Sequence, residues 1–431
     1  MKTISAERVV IAQSLQSNPA AYERALALAS QIETSHLEHS SDAAISELES
    51  QMPWKNLPKR GCFEGPNDFS LVILGRMDWS SENSLFPGYH WAETRSGRYE
   101  WENNSVLCHS ATEIQTILGC SFDCKYCPYT QFLKIACDVE LFIEKLDELL
   151  SSTKQQLLYK LNNRSDTLCF EPEYGLTKLL VERFSKTKRH QLMLYSKSNN
   201  VEHLLDLDHA GRTVTCFTLS SPQTARLLEP SAPTFEERLQ AAALCQRAGY
   251  PVRFRFSPLI PFRGWEADLR TMVETMSEQV QPELITLWTL SMTSIADLRD
   301  MIDLDSLDPL FLQAAQISQT AMKGVKGAPF PDPFRTQLYD VITKTIAEYC
   351  PNTRVSLCLE SPEVISQLHS RLAIVDRAQI CNCGPLCTSE NIARAPAAAD
   401  SVQRTQLALP KTRKGDSQPN RPPKRLRKKH Q

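Results

Sequence analysis

The stretch ILGCSFDCKYCPYT, residues 117–130, carries three cysteines, Cys120, Cys124 and Cys127, in the spacing C-x3-C-x2-C. All three fall within eight residues, so one loop can bring their thiolates to a single metal or metal cluster. A structural zinc takes a fourth ligand, usually from a second closely spaced pair, and His109 lies at no typical spacing. Iron–sulfur clusters are commonly bound by four cysteines. A cluster held by only three would leave one iron open to a small-molecule ligand.

Length and composition indicate a globular protein. The chain has 431 residues, a length that suits one large catalytic domain or two to three smaller ones. Of these residues, 42% are hydrophobic and 23% are charged, and the net charge is −2. No apolar run reaches about 18 residues and the N-terminus has no signal-like apolar core, so we expect no membrane span and a cytoplasmic location. Thiols stay reduced there, and clustered cysteines then indicate a metal site or catalysis.

Strand-like and helix-like segments alternate after the cysteines. The clearest helix is TFEERLQAAALCQRAG, where Thr234 and Glu237 form a capping box and Gly249 supplies the stop. RHQLMLYSK, RTVTCFTLS, VRFRFSPLI (ending at Pro258) and LITLWTLSM are typical of strands, whereas residues 78–107 are expected to be rich in loops. This alternation predicts an α/β fold with a parallel sheet, whose site gathers at the carboxyl ends of the strands.

The cysteine spacing, with Tyr126 before the last cysteine, resembles the radical S-adenosylmethionine (SAM) superfamily. The resemblance implies a [4Fe-4S] cluster on Cys120, Cys124 and Cys127, with SAM bound at the open iron. It also implies an electron donor of the flavodoxin or ferredoxin type. SAM is cleaved to a 5′-deoxyadenosyl radical that abstracts hydrogen from the substrate, while the protein supplies placement.

Further stretches resemble one branch of that superfamily, the spore photoproduct lyases. They are LYSKSNNVEHLLDLDHAGRTVTCFTLSS, LLEPSAPTFEERLQAAALCQRAGYPVRFRFSPLIPFRGWE and YCPNTRVSLCLE, and the resemblance runs in order over roughly residues 8–360. It implies a partial (β/α)6 barrel, open on one side to admit a large substrate. The domains expected are an N-terminal α/β extension (1–107), the barrel (108–360), a cysteine-rich segment (361–392) and a disordered basic tail (393–431).

Four residues match functional positions of that branch. The resemblance implies that Lys197 contacts the SAM carboxylate and that Thr218 lines the SAM pocket. Tyr126 matches a tyrosine of the radical-relay region, and Asp166 falls in a Ser/Thr-Asp motif. Alternatively, Lys197 and Thr218 are solvated residues at strand ends that have no functional role.

Two departures concern the return of hydrogen to the product. In the lesion-repairing lyases a cysteine shortly before the Ser-Asp pair donates hydrogen, and Asn163 stands at that position here. Cys169 is displaced from it by six residues and is the alternative thiol. Pro128 stands where a tyrosine is expected, with Tyr129 one residue further on. A thiol has a weak bond to hydrogen and an amide does not. The sequence therefore predicts how the radical is formed better than it predicts how hydrogen is returned to the product radical.

A second cysteine set lies near the C-terminus. Cys381, Cys383 and Cys387 form C-x-C-x3-C, and we predict an auxiliary iron–sulfur cluster or metal site with Cys358 as a possible fourth ligand. A structural zinc or metal-free thiols are the alternatives. The remaining single cysteines are interpreted as core thiols: Cys62, Cys108, Cys137, Cys216 and Cys245.

The tail from Lys411 to Gln431 has nine Lys/Arg and one acidic residue, which suits phosphate backbones but also a merely solvated tail. Three functions follow. The favoured one is a radical SAM lyase acting on nucleic acid. The second is a radical SAM maturase of a ribosomally made peptide, suggested by the missing cysteine and the extra set. The third is a non-enzymatic zinc or iron sensor that binds nucleic acid.

Overall fold

The computed structural model describes residues 2–51, 68–79, 84–86, 88–128, 131–375 and 378–399. Its strands are β1 (Ile4–Ser5), β2 (Val9–Ala12), β3 (Ile32–Glu33), β4 (Leu37–Ser40), β5 (Leu71–Gly75), β6 (Ala92–Arg95), β7 (Ala111–Ile114), β8 (Ile117–Leu118), β9 (Phe132–Ala136), β10 (Leu158–Leu161), β11 (Gln191–Ser196), β12 (Thr213–Leu219), β13 (Val252–Leu259), β14 (Leu284–Thr289), β15 (Arg354–Leu357), β16 (Ile374–Val375) and β17 (Ala378–Gln379).

Its helices are α1 (Pro19–Ala29), α2 (Asp42–Gln51), α3 (Gly97–Asn104), α4 (Val139–Ser152), α5 (Leu176–Ser185), α6 (Pro222–Leu228), α7 (Phe235–Arg247), α8 (Trp265–Gln279), α9 (Ile295–Met301), α10 (Pro309–Ser318), α11 (Asp332–Tyr349), α12 (Pro362–Leu368) and α13 (Ser389–Ala393). Short 3-10 helices cover Gln13–Ser17, Glu202–Leu204, Leu304–Ser306 and His369–Arg371.

The larger sheet is a curved wall in the order β6-β7-β10-β11-β12-β13-β14-β15. Its pairs are parallel except β6–β7, so seven parallel strands follow one another, one more than predicted. All seven residues of β12 are buried, as expected for a parallel strand covered on both faces. A bridge between Leu107 and Glu360 links the two ends of the wall. The predicted α/β partial barrel is confirmed.

A second sheet, in the order β4-β2-β5-β9-β8, forms the core of the N-terminal part. Two of its strands, β8 and β9, lie beyond residue 107, whereas β6 lies before it and joins the barrel wall. The two parts therefore interleave along the chain. The domain boundary expected between residues 107 and 108 does not coincide with the division into sheets and stays a prediction.

Local signals fixed several elements well. Helix α7 begins at the predicted capping box, in which both reciprocal hydrogen bonds between Thr234 and Glu237 are formed. Strand β13 differs from the prediction, because it continues through Pro258 to Leu259 with a shift of register. The expected loops of residues 78–107 include β6 and α3, so that expectation was wrong for those elements.

The predicted start of disorder at Ala393 was also wrong. Ala395 and Ala398 are buried, and the amide of Ala398 donates to the carbonyl of Thr353 at 2.8 Å. The guanidinium of Arg354 donates to the carbonyl oxygens of Ala393 and Ala395 at 2.8 and 3.1 Å. Residues 393–399 thus pack against the end of the barrel, while the basic tail from residue 400 lies outside the described residues. None of the helices described here has both the length and the apolarity needed to cross a membrane.

Candidate functional site

The three-cysteine loop leaves the short strand β8 through Gly119. Its φ of +100° belongs to the region that favours glycine, and a Cβ there would lie 2.3 Å from the carbonyl oxygen of Phe132. A side chain at this position would push the loop away from β9. The glycine directly before Cys120 therefore fixes how the cysteine loop departs from the sheet.

Two hydrogen bonds anchor the loop to the segment that joins α6 to α7. The amide of Lys125 donates to the carbonyl of Leu228 at 2.9 Å, and the amide of Ser231 donates to the carboxylate of Asp123 at 3.1 Å. Both partners follow β12, whose carboxyl end faces this side of the barrel. The cysteine loop therefore lies over the carboxyl ends of the parallel strands, where the site was predicted.

The cysteines of this loop lie in an enclosed setting. Cys124 is buried, Cys120 and Cys127 are half-buried, and Cys169 lies beside Cys120. Burial raises the pKa of Cys124, and the charge of Lys197 opposes that rise. In the described part of the chain, no group of three or more His, Cys, Asp or Glu is placed to hold a single metal ion. A four-iron cluster is larger than an ion and holds its thiolates farther apart, and three sheltered thiols suit it.

Glu229 is the hub of the polar contacts beside these cysteines. Its carboxylate accepts hydrogen bonds from the hydroxyls of Tyr126 and Ser220 and from the guanidinium of Arg238. The ammonium of Lys197 lies 3.7 Å away. Burial alone would raise the pKa of Glu229, but the positive charges of Arg238 and Lys197 lower it to about 2. The carboxylate is therefore ionised and holds two cations in place.

Lys197 directly follows β11, and its ammonium lies 5.2 Å from the ring centroid of Tyr126. Burial would lower its pKa, yet the charges of Glu229 and Cys124 raise it to about 12, so the side chain is a cation. Its backbone amide donates to the carboxylate of Asp166 at 2.5 Å, and the hydroxyl of Ser196 donates to the same carboxylate at 2.7 Å. Asp166 thus ties down the end of β11 from which Lys197 projects.

Thr218 lies on β12 next to this end of β11. Ser196 of β11 pairs with Phe217 of β12. Lys197 and Thr218 are the next residues along these two neighbouring strands, so they lie close together. Thr218 is buried, and its carbonyl oxygen accepts a hydrogen bond from Arg238 at 3.2 Å. The structure therefore brings the residues predicted to contact SAM to one end of the barrel.

Glu229 and Arg238 had no predicted role, although both stand in the quoted stretch LLEPSAPTFEERLQAAALCQRAGYPVRFRFSPLIPFRGWE. The stretch held a usable signal, because it places the acidic Glu229 before the start of helix α7 and the basic Arg238 inside that helix. The stretch did not show that both side chains turn inward toward Tyr126 and Lys197.

The departures occupy two different places. Asn163 is in the barrel interior, where its amide donates to Glu113 at 2.9 Å and accepts from the ammonium of Lys160. Cys169 lies outside that network, with its thiol directed to the carbonyl of Asp166 at 3.4 Å. Asn163 and Cys169 are therefore not interchangeable in position. Pro128 is exposed, and Tyr129 lies outside the described residues.

The second cysteine set lies in the interior of the same barrel. Cys381 and Cys387 pack in one buried cluster with Leu158, Met193 and Cys216 of the strands. The carbonyl of Pro385 accepts from the amides of Leu157 and Leu158, so the segment runs across the amino end of β10. Cys358, Cys381 and Cys383 line one cavity of about 350 Å³, which Cys108 also lines. Cys108, which was interpreted as a core thiol, is only half-buried and lines this cavity beside the second set.

A partial barrel of parallel strands, with three cysteines in this spacing over their carboxyl ends, resembles the radical SAM class. Residues 108–294 match the family model described as Spore photoproduct lyase. The predicted resemblance to that branch is confirmed over this range. The second cysteine set and Cys358 lie beyond it.

Curated relatives carry the same description, and solved structures share the fold. A spore photoproduct lyase of Bacillus subtilis (strain 168) is 25% identical over 166 residues, which are 37% of this chain and 48% of that protein. One from Geobacillus sp. (strain Y412MC61) is 25% identical over 171 residues, 38% of this chain and 50% of that protein. The chain thus spans about half the length of these curated relatives. A structure of spore photoproduct lyase complexed with dinucleoside spore photoproduct has a TM-score of 0.60 and 18% identity, covering 82% of this chain and 99% of that chain.

Proposed function

We propose that this chain is a radical SAM enzyme of the spore photoproduct lyase type, which acts on a lesion in nucleic acid. Cys120, Cys124 and Cys127 would hold a [4Fe-4S] cluster, and Lys197 and Thr218 would contact SAM. When bound and reduced, this pair supplies a 5′-deoxyadenosyl radical that abstracts hydrogen from the substrate. The required electron would come from a flavodoxin- or ferredoxin-type donor, in the cytoplasm, where thiols stay reduced.

The observation that carries the proposal is the contact chain from Lys197 through Glu229 to Tyr126, directly beside the cysteine loop. Lys197 offers a fixed positive charge, which suits a carboxylate such as that of SAM. Glu229 orients both Lys197 and Tyr126, and Arg238 keeps Glu229 ionised. Asp166 acts as a positioning residue, because its carboxylate accepts hydrogen bonds from the backbone amide of Lys197 and the hydroxyl of Ser196.

The substrate class rests on the relatives. One variant of spore photoproduct lyase, 18% identical and with a TM-score of 0.60, was solved with bound AdoMet and dinucleoside spore photoproduct, the ligands we carry over here as a proposal. The basic run from Lys411 to Gln431 would add contacts to phosphates that carry no sequence information. The second cluster predicted for the C-terminal cysteines belongs to the proposal as an added cofactor.

The second candidate is a maturase of a ribosomally made peptide. The observation in its favour is that Asn163 occupies the position of the hydrogen-donating cysteine and is engaged by Glu113 and Lys160. In a peptide-modifying enzyme, the product radical need not be quenched by hydrogen from a cysteine at this position. Cys169 stays the candidate thiol for the lyase, although it lies beside Cys120 rather than beside Asn163.

The test uses the full chain, reconstituted without oxygen with iron and sulfide, and given SAM, dithionite and dinucleoside spore photoproduct. The proposal expects 5′-deoxyadenosine together with conversion of the dinucleoside. Cys124→Ala should abolish both, whereas Cys245→Ala, at a buried thiol in α7, should retain both. SAM cleavage that survives Cys124→Ala would contradict the radical SAM assignment. SAM cleavage without any change to the dinucleoside would contradict the substrate and favour the maturase.

A further inference from the structure

The barrel contains a second group of thiols that the proposed reaction does not use. Four cysteines from three separate parts of the chain line the cavity of about 350 Å³. Cys108 precedes β7, Cys358 follows β15, and Cys381 and Cys383 belong to the C-terminal segment. Thiols so far apart in sequence meet only because the C-terminal segment enters the barrel. A group of four cysteines is the ligand set that iron–sulfur clusters and structural zinc sites share.

The turn from Cys381 to Cys387 packs closely against the segment that carries Cys108. A Cβ on Gly384 would lie 2.6 Å from the sulfur of Cys387 and 3.2 Å from the ring of His109. The amide of Cys381 donates to the sulfur of Cys387 at 3.4 Å. The glycine permits this close approach, so the turn and the segment that carries Cys108 and His109 pack directly against each other.

Positive side chains point at these thiols. A guanidinium nitrogen of Arg95 lies 3.0 Å from the sulfur of Cys383, and one of Arg255 lies 3.5 Å from the sulfur of Cys358. The ammonium of Lys160 lines the same cavity. Cations grouped around these thiols would offset the negative charge that thiolate ligands bring to a bound metal or cluster, since buried charges without a counter-charge are costly.

Two of these cations also have unused donors. The Nε atoms of Arg95 and Arg255 are buried and have no hydrogen-bond partner among the described residues. Buried donors are nearly always paired in folded proteins, so each unpaired one calls for a partner. Both atoms belong to guanidinium groups whose other nitrogens already contact cysteine sulfur. An anionic group held by the cysteines would supply the missing acceptors.

We propose that Cys108, Cys358, Cys381 and Cys383 bind a second [4Fe-4S] cluster in this cavity, with Arg95 and Arg255 as counter-charges. Four thiolates leave such a cluster with net negative charge, and the inorganic sulfides accept hydrogen bonds. The assignment replaces Cys387 by Cys108 in the predicted ligand set, since Cys387 contacts Cys381 but does not line the cavity. It goes beyond the proposed reaction and does not depend on the first cluster.

The experiment removes the first site and counts what remains. The full chain with Cys120→Ala, Cys124→Ala and Cys127→Ala is reconstituted without oxygen with ferrous iron and sulfide, and iron, sulfide and zinc are measured per chain. We expect about four irons and four sulfides, half of the wild-type content, and the electron paramagnetic resonance signal of a reduced [4Fe-4S] cluster. An iron-free triple variant, or one that binds zinc alone, overturns the proposed second cluster and leaves the proposed radical SAM reaction untouched.

Single changes on that background test the ligand set. Cys108→Ala and Cys383→Ala should each lose most of the iron, while Cys387→Ala and Cys216→Ala should keep it. Cys216 is the matched control, because it packs in the same buried cluster without lining the cavity. Circular dichroism of each variant before reconstitution identifies any that fail to fold. Iron retained by Cys108→Ala and lost by Cys387→Ala overturns the assignment.

A second measurement does not depend on losing a ligand. Arg255→Gln on the triple-variant background removes one positive charge beside the cluster but no thiol. The reduced cluster carries more negative charge than the oxidised one, so the reduction potential should fall while the iron content stays unchanged. Arg263→Gln, at an exposed arginine in the loop before α8, is the control and should leave the potential in place. An unchanged potential in Arg255→Gln overturns the role of Arg255 as a counter-charge.

Discussion

The ammonium of Lys197 and a carboxylate oxygen of Glu229 lie 3.7 Å apart, although one residue follows β11 and the other follows α6. The second oxygen of Glu229 binds the guanidinium of Arg238, whose side chain is fully buried. One carboxylate therefore neutralises two cations in a part of the barrel that excludes water. The Glu229 carboxylate therefore affects both the stability of the site and the net charge that the site presents to a ligand.

Glu229→Gln should destabilise the chain strongly. The amide keeps the shape of the side chain but leaves Arg238 buried without an anion, which costs about 3–5 kcal/mol in the free energy of unfolding. Urea denaturation of the purified full-length variant, followed by circular dichroism, measures the change. Glu236→Gln, at an exposed acid in the same helix α7, should change it by less than about 0.5 kcal/mol. Equal effects of the two changes would show that the buried charge pair is not stabilising.

The contribution of Glu229 should also depend on pH. Its folded-state pKa of about 2 lies below the ordinary value of 4.5, so between these values the unfolded state binds the proton more tightly. The stabilisation is therefore present above about pH 4.5 and is lost as the pH falls toward 2. We expect the difference in unfolding free energy between wild type and Glu229→Gln to shrink by about 3 kcal/mol between about pH 6 and a pH below 2. A difference that stays constant over that range would contradict the low pKa.

The fold was predictable where the information is local. Capping residues and a glycine stop defined α7, and apolar runs defined β11 and β12. Strand β6 and helix α3 were missed because they are short and polar. They are held by antiparallel pairing with β7 and by the cap that Ser96 makes with the amide of Tyr99, at 3.2 Å. The assignment of β8 and β9 to the other sheet depends on distant pairings that no local pattern contains.

The same distinction applies to the site. Cys120, Cys124 and Cys127 could be recognised because their spacing lies within one loop. Glu229 has no unusual local pattern, and its meeting with Lys197 arises only from the tertiary fold. Cys108 looked isolated because its neighbours Cys358 and Cys383 lie about 250 residues or more further along the chain. The contacts of Glu229 with Lys197 and of Cys108 with the second cysteine set, which only the barrel creates, were therefore not predicted.

Lys197→Met should weaken SAM binding without removing the cluster. The change deletes the positive charge but keeps the apolar stem, and a charge-assisted hydrogen bond contributes about 1.5–3 kcal/mol, or roughly 10- to 100-fold in Kd. Anaerobic equilibrium dialysis of SAM against the reconstituted chain measures the Kd, with iron content as a check. Lys188→Met, at an exposed lysine before β11, should leave the Kd unchanged. Unaltered SAM affinity in Lys197→Met would contradict the role given to Lys197.

Deleting residues 411–431 should reduce the salt dependence of DNA binding. This deletion removes nine Lys/Arg, and the slope of log K against log salt becomes shallower by about 0.9 for each phosphate that they would otherwise neutralise. Fluorescence anisotropy with a labelled duplex at several salt concentrations gives the slope. A deletion of residues 401–410, which contain a single arginine, serves as the control for shortening the tail. Identical slopes in the two deletions would show that the basic run does not bind phosphates.

Asn163→Cys should change how the product radical ends. The amide of Asn163 now donates to Glu113 and accepts from Lys160 in the barrel interior, and neither hydrogen bond supplies a hydrogen atom to a radical. A thiol there has a weak bond to hydrogen that exchanges with solvent. With dinucleoside spore photoproduct, we therefore expect severalfold more repaired product per 5′-deoxyadenosine. In deuterated water, that product should also carry deuterium.

Asn163→Ser is the matched control, because it removes the same two amide hydrogen bonds and has nearly the size of cysteine without a thiol. It should show neither the higher yield nor the deuterium. Cys169→Ala, combined with Asn163→Cys, separates the two candidate thiols, since Cys169 lies beside Cys120 on a different side of the strand ends. Deuterium that disappears with Cys169→Ala would assign hydrogen return to Cys169. Deuterium at equal levels in the serine and cysteine variants would contradict a thiol at position 163 as the donor, and would mean that the interior of this barrel returns hydrogen by another group.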